Sequence, residues 1–114
     1  MAAFAALDVS KKSTSIHIVD EKGVCLWRGK TLTNPAALAE ALSPFSDDLT
    51  LVGLETGSWT TWLWHELTER GFPMVCMDAR QAHAALSVTI NKTDANDAQG
   101  LAHLLRTGLF REVR

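Results

Sequence analysis

Four carboxylates are the residues of this 114-residue chain whose types and positions suit catalysis. Asp8 and Glu55 each end an apolar run, whereas Asp94 and Asp97 lie three residues apart at the start of a helical pattern. Carboxylate oxygens are preferred ligands of Mg²⁺ and Mn²⁺. Two such ions can activate a nucleophile and stabilise the leaving oxygen at a phosphodiester. If the fold brings the four acids together, the sequence predicts metal-dependent phosphodiester chemistry.

The last helical pattern places its two aspartates in line with buried leucines. Counted from Asp94, the residues at 3, 7, 10 and 11 positions further on share one stripe of a 3.6-residue helix: Asp97, Leu101, Leu104 and Leu105. Since leucines face the core, both carboxylates are predicted at the inner end of a buried face. An uncompensated cluster of acids there costs several kcal/mol in desolvation and repulsion. A divalent cation removes that penalty.

Ordinary structural roles can explain each acid singly. Asp94 can interact favourably with the helix dipole, Asp8 can begin an Asx-turn, and Glu55 can cap the turn in "TGS". Four acids at two strand ends and one helix start favour the metal site when they are taken together. Asp78 is a fifth acid at a strand end, and it can either replace one of the four or cap the helix that follows.

Aromatic and basic residues near these acids leave two interpretations open. Three tryptophans crowd one helix start and can pack on the sheet or stack on bases: Trp59, Trp62 and Trp64. Three lysines flank the acids in sequence and can meet phosphate or remain solvated: Lys11, Lys12 and Lys92. The four histidines show no metal-ligand spacing and are interpreted as surface or packing residues.

Composition restricts the class of protein. The net charge is −2 and charged residues make up 21% of the chain, so no basic footprint for coating DNA is visible. Cys25 and Cys76 lie in apolar runs without a CxxC pair, which predicts two buried thiols of a cytosolic protein. The start lacks an export signal. No apolar run approaches the roughly 18 residues that suggest a transmembrane helix.

The elements that must position the acids follow from periodicity and from turn residues. The pattern predicts three strands joined by tight turns, then helices alternating with strands, and finally two helices. Asn34, Ser58 and Thr93 are predicted N-caps, and Gly71 is predicted to end the second helix. This order predicts one α/β domain over residues 1–114, with a five-stranded mixed sheet and helices on both faces. Strand ends of parallel neighbours gather ligands, so Asp8 and Glu55 are expected to meet there.

Three segments carry a family resemblance: "ALDVSKKSTSIHIVD", "LETGSW" and "NKTDANDAQGLAHLLRTG". Together they resemble the N-terminal domain of the DEDD-type insertion-sequence transposases, which include the pilin-gene DNA invertases. That domain is similar to the resolvase RuvC and has the ribonuclease H-like fold. The resemblance covers nearly the whole chain and maps the family's acidic tetrad onto Asp8, Glu55, Asp94 and Asp97.

The resemblance also implies an activity and partners. It implies Mg²⁺- or Mn²⁺-dependent DNA strand cleavage and exchange during movement of a mobile element. A structured guide RNA and assembly into a homo-oligomer are further expectations. Family members continue into a second domain that supplies a serine nucleophile, and this domain is expected beyond residue 114. Three serines lie near the acids but do not match the family's serine motif: Ser10, Ser13 and Ser58.

Three other functions stay open at the level of sequence. A stand-alone resolvase-like nuclease needs only the four acids and water, and would cleave branched DNA by itself. An actin-type ATP-binding domain also begins with a strand that ends in an aspartate, as the strand before Asp8 does here. It needs a later Gly-rich loop, which does not occur before Arg114. A non-catalytic assembly module would bind RNA or another protomer regardless of Asp8 or a chelator.

Overall fold

The computed structural model describes residues 2–89 and 97–113, with side chains described at 2–84 and 98–113. Its helices are α1 (Pro35–Leu42), α2 (Thr60–Glu69), α3 (Ala79–Thr89) and α4 (Asp97–Thr107), with a 3₁₀ turn at Ser43–Phe45. Its strands are β1 (Ala3–Val9), β2 (Ser13–Asp20), β3 (Cys25–Leu32), β4 (Leu49–Glu55), β5 (Met74–Met77) and β6 (Glu112–Val113).

One sheet contains all six strands, in the order β3-β2-β1-β4-β5-β6. The first three strands pair antiparallel, while β1, β4 and β5 pair parallel. This topology confirms the predicted mixed sheet. The predicted count of five strands is wrong, because β6 adds an antiparallel edge to β5. The chain reverses after Gly108, whose φ of 78° suits glycine, and a two-residue strand is too short to show an alternating pattern.

Helices cover both faces of the sheet, as predicted. On one face, α1 and α2 bury Leu38, Leu42, Leu63 and Leu67 against β1, β2 and β4. On the other, α4 packs on β1, β2 and β4. The α4 leucines in this core confirm the apolar stripe predicted from their spacing: Leu101, Leu104 and Leu105.

The predicted helix ends have mixed outcomes. Asn34 caps α1 as expected, because its Oδ1 accepts a hydrogen bond from the Ala37 N–H at 3.1 Å. The prediction that Ser58 caps α2 is wrong: the cap position is Trp59, which makes no side-chain capping bond. The Thr60 hydroxyl, one residue further on, donates instead to the Glu55 carbonyl. Thr93 lies outside the described residues.

The two cysteines are both free thiols but differ in exposure. Cys76 is buried in β5, as predicted, whereas the prediction for Cys25 is wrong because that residue is exposed. Cys25 begins β3, an edge strand with only one neighbour, so its apolar sequence context does not guarantee cover. Among the helices within the described ranges, none combines the length and apolar character needed to cross a membrane.

Candidate active site

Asp8 and Glu55 stand side by side at one end of the sheet. In the parallel β1–β4 pair, Leu7 is in register with Leu54. The next residue on each strand is therefore one of the two acids. Because parallel strands run in the same direction, both acids lie at the carboxyl ends of adjacent strands, where ligands of open α/β sheets gather. This placement confirms the expected strand-end neighbourhood.

Both acids also belong to the sheet face that α4 covers. Side chains alternate between faces along a strand, and Ala6 and Gly53, two residues before the acids, lie on the α4 side. Ala6 is buried in the α4 core cluster. A Cβ added to Gly53 would lie 2.9 Å from Leu105 Cδ1. Asp8 and Glu55 therefore share one face as well as one end, and each is partly buried.

The last turn of α4 is located by a contact with the turn between β2 and β3. Near its C-terminus, Arg106 lies with an Nη1 atom 3.5 Å from the Glu21 carbonyl, beside the β2–β3 turn at the opposite end of β1. The last turn of α4 therefore lies towards the end of the sheet opposite the two acids. The side chain of Asp97 and the whole of Asp94 lie outside the described residues. Within the part of the chain that is described, no three metal-binding side chains cluster.

Three hydrogen bonds to backbone groups hold the end of β4 in place. The Thr56 N–H donates to the Met77 carbonyl at 2.9 Å, which extends the β4–β5 pairing beyond Glu55. The Thr60 hydroxyl donates to the Glu55 carbonyl. The Thr56 hydroxyl accepts from the Ala79 N–H at 3.1 Å, linking the strand end to the start of α3. These contacts fix the backbone that carries the Glu55 carboxylate.

His83 on α3 reaches that carboxylate and was not identified from the sequence. Its Nε2 lies 2.7 Å from Glu55 Oε2, and its side chain is 69% exposed. The Glu55 side chain is 21% exposed, and the contacted oxygen is buried. No spacing rule connects positions 55 and 83, because only the packing of α3 beside β4 brings them together. His83 is exposed, as expected of a surface residue, but its contact with Glu55 was not predicted.

Asp78 has a structural role at this end of the sheet. Its Oδ1 accepts a hydrogen bond at 2.9 Å from the Gln81 N–H, which caps the first turn of α3. This is the capping role weighed in the sequence. The neighbouring Cys76 thiol has its pKa raised by burial first and then by the negative charges of Asp78 and Glu112.

The three tryptophans of the α2 region divide into two environments. Trp64 is partly buried against the core, and its ring meets the His65 ring edge-on with centroids 5.2 Å apart. Trp59 and Trp62 are 40% and 46% exposed. Packing on the core therefore accounts for Trp64 alone.

Solved structures similar to this chain share its fold. The Thermus thermophilus resolvase RuvC in complex with a Holliday-junction substrate matches with a TM-score of 0.65 and 14% identity, over 99% of this chain and all of that one. A second structure of Thermus thermophilus RuvC matches with a TM-score of 0.64 and 15% identity, over 97% and 99%.

A glucokinase of the ROK family from Streptomyces griseus also matches, with a TM-score of 0.54 and 20% identity. That match covers 73% of this chain and 35% of the enzyme. No curated protein matches the chain. At these identities the three structures show a shared fold alone.

A family model described as "Transposase", that of the DEDD transposases of the IS110 group, matches residues 5–114. The match contains both strand-end acids and the α4 helix. It confirms the resemblance drawn from the three sequence segments. The chain belongs to the family of DEDD transposases, with a RuvC-like, ribonuclease H-like fold.

Proposed function

We propose that this chain is the metal-binding catalytic domain of a DNA transposase, in which Asp8, Glu55, Asp94 and Asp97 form the acidic tetrad. The observation that carries the proposal is the register of β1 and β4, which makes Asp8 and Glu55 neighbours on one face at one strand end. The last turn of α4 lies near Glu21, at the far end of the sheet, which supports a position of the helix start towards the acids. The helical spacing of Asp97 from Leu101 supports an inward direction.

The donor set suits hard divalent cations. Two carboxylates on adjacent strands offer oxygen ligands, which Mg²⁺ and Mn²⁺ prefer over softer sites. When bound there, the ions supply charge neutralisation and activation of the attacking oxygen at a phosphodiester. The chain's own part is to hold the carboxylates on a rigid sheet end. The bonds around Thr56 and Thr60 serve that purpose by fixing the backbone at Glu55.

Further parts of the proposal follow from the family. We propose that a second domain beyond residue 114 supplies a serine nucleophile, that a structured RNA guides the reaction and that the protein acts as a homo-oligomer. On this proposal the 114-residue chain alone binds metal and DNA without completing strand exchange. Covalent attachment of DNA to the purified 114-residue chain, followed by strand exchange, would refute this division of labour.

Thermal unfolding with and without metal tests the site directly. Mg²⁺ or Mn²⁺ should raise the Tm, because binding relieves repulsion between the acids. The stabilisation follows RT ln(1 + [L]/Kd), about 1.4 kcal/mol when the ion is at roughly ten times its Kd. That shifts a domain of this size by several degrees. Asp8→Asn should remove most of the metal response while raising the metal-free Tm, because it deletes one repelling charge with little change of shape.

A matched control separates the site from general charge effects. Asp20→Asn changes the same charge at the other end of β2, where Asp20 Oδ1 accepts bonds from the Lys22 and Val24 N–H groups. Since the asparagine Oδ1 can still accept these turn bonds, the metal-free Tm should change little and the metal response should be kept. If Asp8→Asn instead lowers the metal-free Tm and keeps the response, Asp8 is a turn residue and the tetrad is wrong. A DNA oligonucleotide belongs in the same experiment, since Mg²⁺ often needs substrate phosphate as a ligand.

A resolvase-like nuclease is the second candidate, since the RuvC structure that shares this fold is held in complex with a Holliday-junction substrate. Cleavage of a branched DNA by this chain alone, lost in Glu55→Gln, would favour it over the transposase domain. The glucokinase similarity reflects a shared fold, because it covers only 35% of that enzyme. Thermal stabilisation by ATP would be needed to revive an ATP-binding function.

A further inference from the structure

The outer strand of the antiparallel meander carries two exposed cations beside the acid pair. Strand pairing aligns Asp8 with Ser15 and Ser15 with Lys30. Lys30 is thus two strand spacings, about 10 Å, from Asp8 across the sheet. Arg28 lies two residues earlier on β3, at the position aligned with His17. Arg28 and Lys30 are distant from Asp8 in the sequence, so only the pairing of the three strands brings them near the acids.

The buried His17 shows which face Arg28 occupies. His17 is aligned with Ala6, on the α4 side of the sheet, and is 6% exposed. Its pKa is lowered by burial first and then by the nearby charge of Arg28. Alternation along β3 assigns Lys30 to the same face as Arg28. Lys30 also borders a cavity between β3 and α1. Because it could contribute to that cavity instead, Arg28 and Lys30 are replaced one at a time in the test below.

Both cations are accessible, and their strand has one sign of charge. Arg28 and Lys30 are exposed, and α4 packs on β1, β2 and β4. The strand "CLWRGKTL" contains no acidic residue. The β1–β2 turn beside Asp8 adds two more exposed cations at the acid end: Lys11 and Lys12. In a chain of net charge −2, this local excess of positive charge is a specific feature of one side of the site.

We propose that Arg28 and Lys30 form a phosphate-binding track for the DNA strand whose reacting phosphate lies at Asp8 and Glu55. The inference rests on the proposed function and adds the path of the substrate. Lys30, about 10 Å from Asp8, is far enough away to contact a neighbouring phosphate of the strand whose reacting phosphate lies at the acids. Cations at that distance bind the neighbouring part of the DNA backbone without neutralising the acids. The ligand class is the nucleic-acid phosphate backbone, which this track contacts without reading bases.

Salt-dependent binding of a single-stranded DNA oligonucleotide tests the track. Each phosphate contact contributes about 0.7 to the slope of log K against log salt for single strands. Arg28→Gln and Lys30→Gln should each lower the slope by about 0.7, and the double variant should lower it by about twice that amount. Both side chains are exposed, so the Tm should stay close to that of the parent chain, which verifies folding. Lys22→Gln is the matched control, since it removes the same charge from the β2–β3 turn at the far end of the sheet and should leave the slope unchanged.

The outcomes separate the track from the metal site. The track is overturned if Arg28→Gln and Lys30→Gln have the same slope as Lys22→Gln. It is also overturned if the parent chain does not bind DNA. If Asp8→Asn still abolishes the Mn²⁺ response in that case, the proposed function stands without the track. If the slopes fall as expected while Asp8→Asn leaves the Mn²⁺ response intact, the track stands and the tetrad fails. The same oligonucleotide as RNA completes the set: a slope change on RNA alone overturns the assignment to DNA.

Discussion

His83 Nε2 lies 2.7 Å from Glu55 Oε2, so a side chain of α3 contacts the carboxylate that ends β4. The contact joins a largely exposed imidazole to a mostly buried carboxylate. Outer contacts of this kind orient carboxylate ligands and tune their affinity for metal. The pair therefore connects the position of α3, which Asp78 caps, to the geometry of the proposed metal site.

Replacing His83 by alanine should affect metal binding more than stability. The imidazole is exposed, so the free energy of unfolding should change by about 1 kcal/mol or less. Loss of an orienting partner typically costs 10- to 100-fold in metal affinity, so the Mn²⁺-dependent rise in Tm should shrink. His65→Ala, at an exposed histidine of α2, is the control and should keep the full metal response. An unaltered Mn²⁺ response in His83→Ala would show that the contact does not orient Glu55.

Thr60 should be needed for the stability of the strand end. Thr60→Val keeps the shape of the side chain but removes the hydroxyl that donates to the Glu55 carbonyl. Leaving this partly buried acceptor without its donor should cost about 1 kcal/mol in the free energy of unfolding, measured by urea denaturation. Thr60→Ser retains the hydroxyl and should lose clearly less. Equal losses in the two variants would assign the effect to packing.

Gly53 is predicted to be necessary because α4 passes close over β4. A Cβ at this position would lie 2.9 Å from Leu105 Cδ1 and 3.0 Å from Met77 Cε. The flexible ends of both side chains can give way to one methyl group, whereas Gly53→Val demands more room and should destabilise the fold by about 1–3 kcal/mol. Gly57→Ala is the comparison, since its Cβ would meet only Thr60 Oγ1 at 3.6 Å. A valine at position 53 that leaves the urea midpoint unchanged would contradict this close packing.

His17 should make the fold less stable in mild acid. Burial, with a further contribution from Arg28, lowers its pKa in the folded chain below the ordinary value of 6.5. The unfolded chain therefore binds the proton more readily, and stability falls as the pH drops through about 6.5. His17→Gln cannot titrate, so its loss of stability between about pH 7.5 and 5.5 should be smaller than that of the parent chain. His65→Gln is the control, and a parent-like pH slope in His17→Gln would exclude His17 as the cause.

Local patterns in the sequence were sufficient for the order of the elements from β1 to α4. Alternation and apolar runs identify β1 and β4, because side-chain period depends only on residues next to one another. β4 ends at Glu55, as predicted, and β1 ends at Val9, one residue after the predicted Asp8. The leucine stripe of α4 is equally local, since positions three and four apart on a helix always share a face. Family membership followed from these same segments.

Contacts between distant segments were decided by the tertiary structure. The approach of His83 to Glu55 depends on how α3 packs beside β4, and the pairing of β6 with β5 depends on the reversal after Gly108. The alignment of Asp8, Ser15 and Lys30 likewise needs the register of three strands. A single-residue slip in that register would move every side chain of a strand to the other face. Register is set by pairing across the whole sheet. A local pattern therefore identifies Asp8 and Glu55 as candidate site residues but does not predict that Lys30 lies beside Asp8.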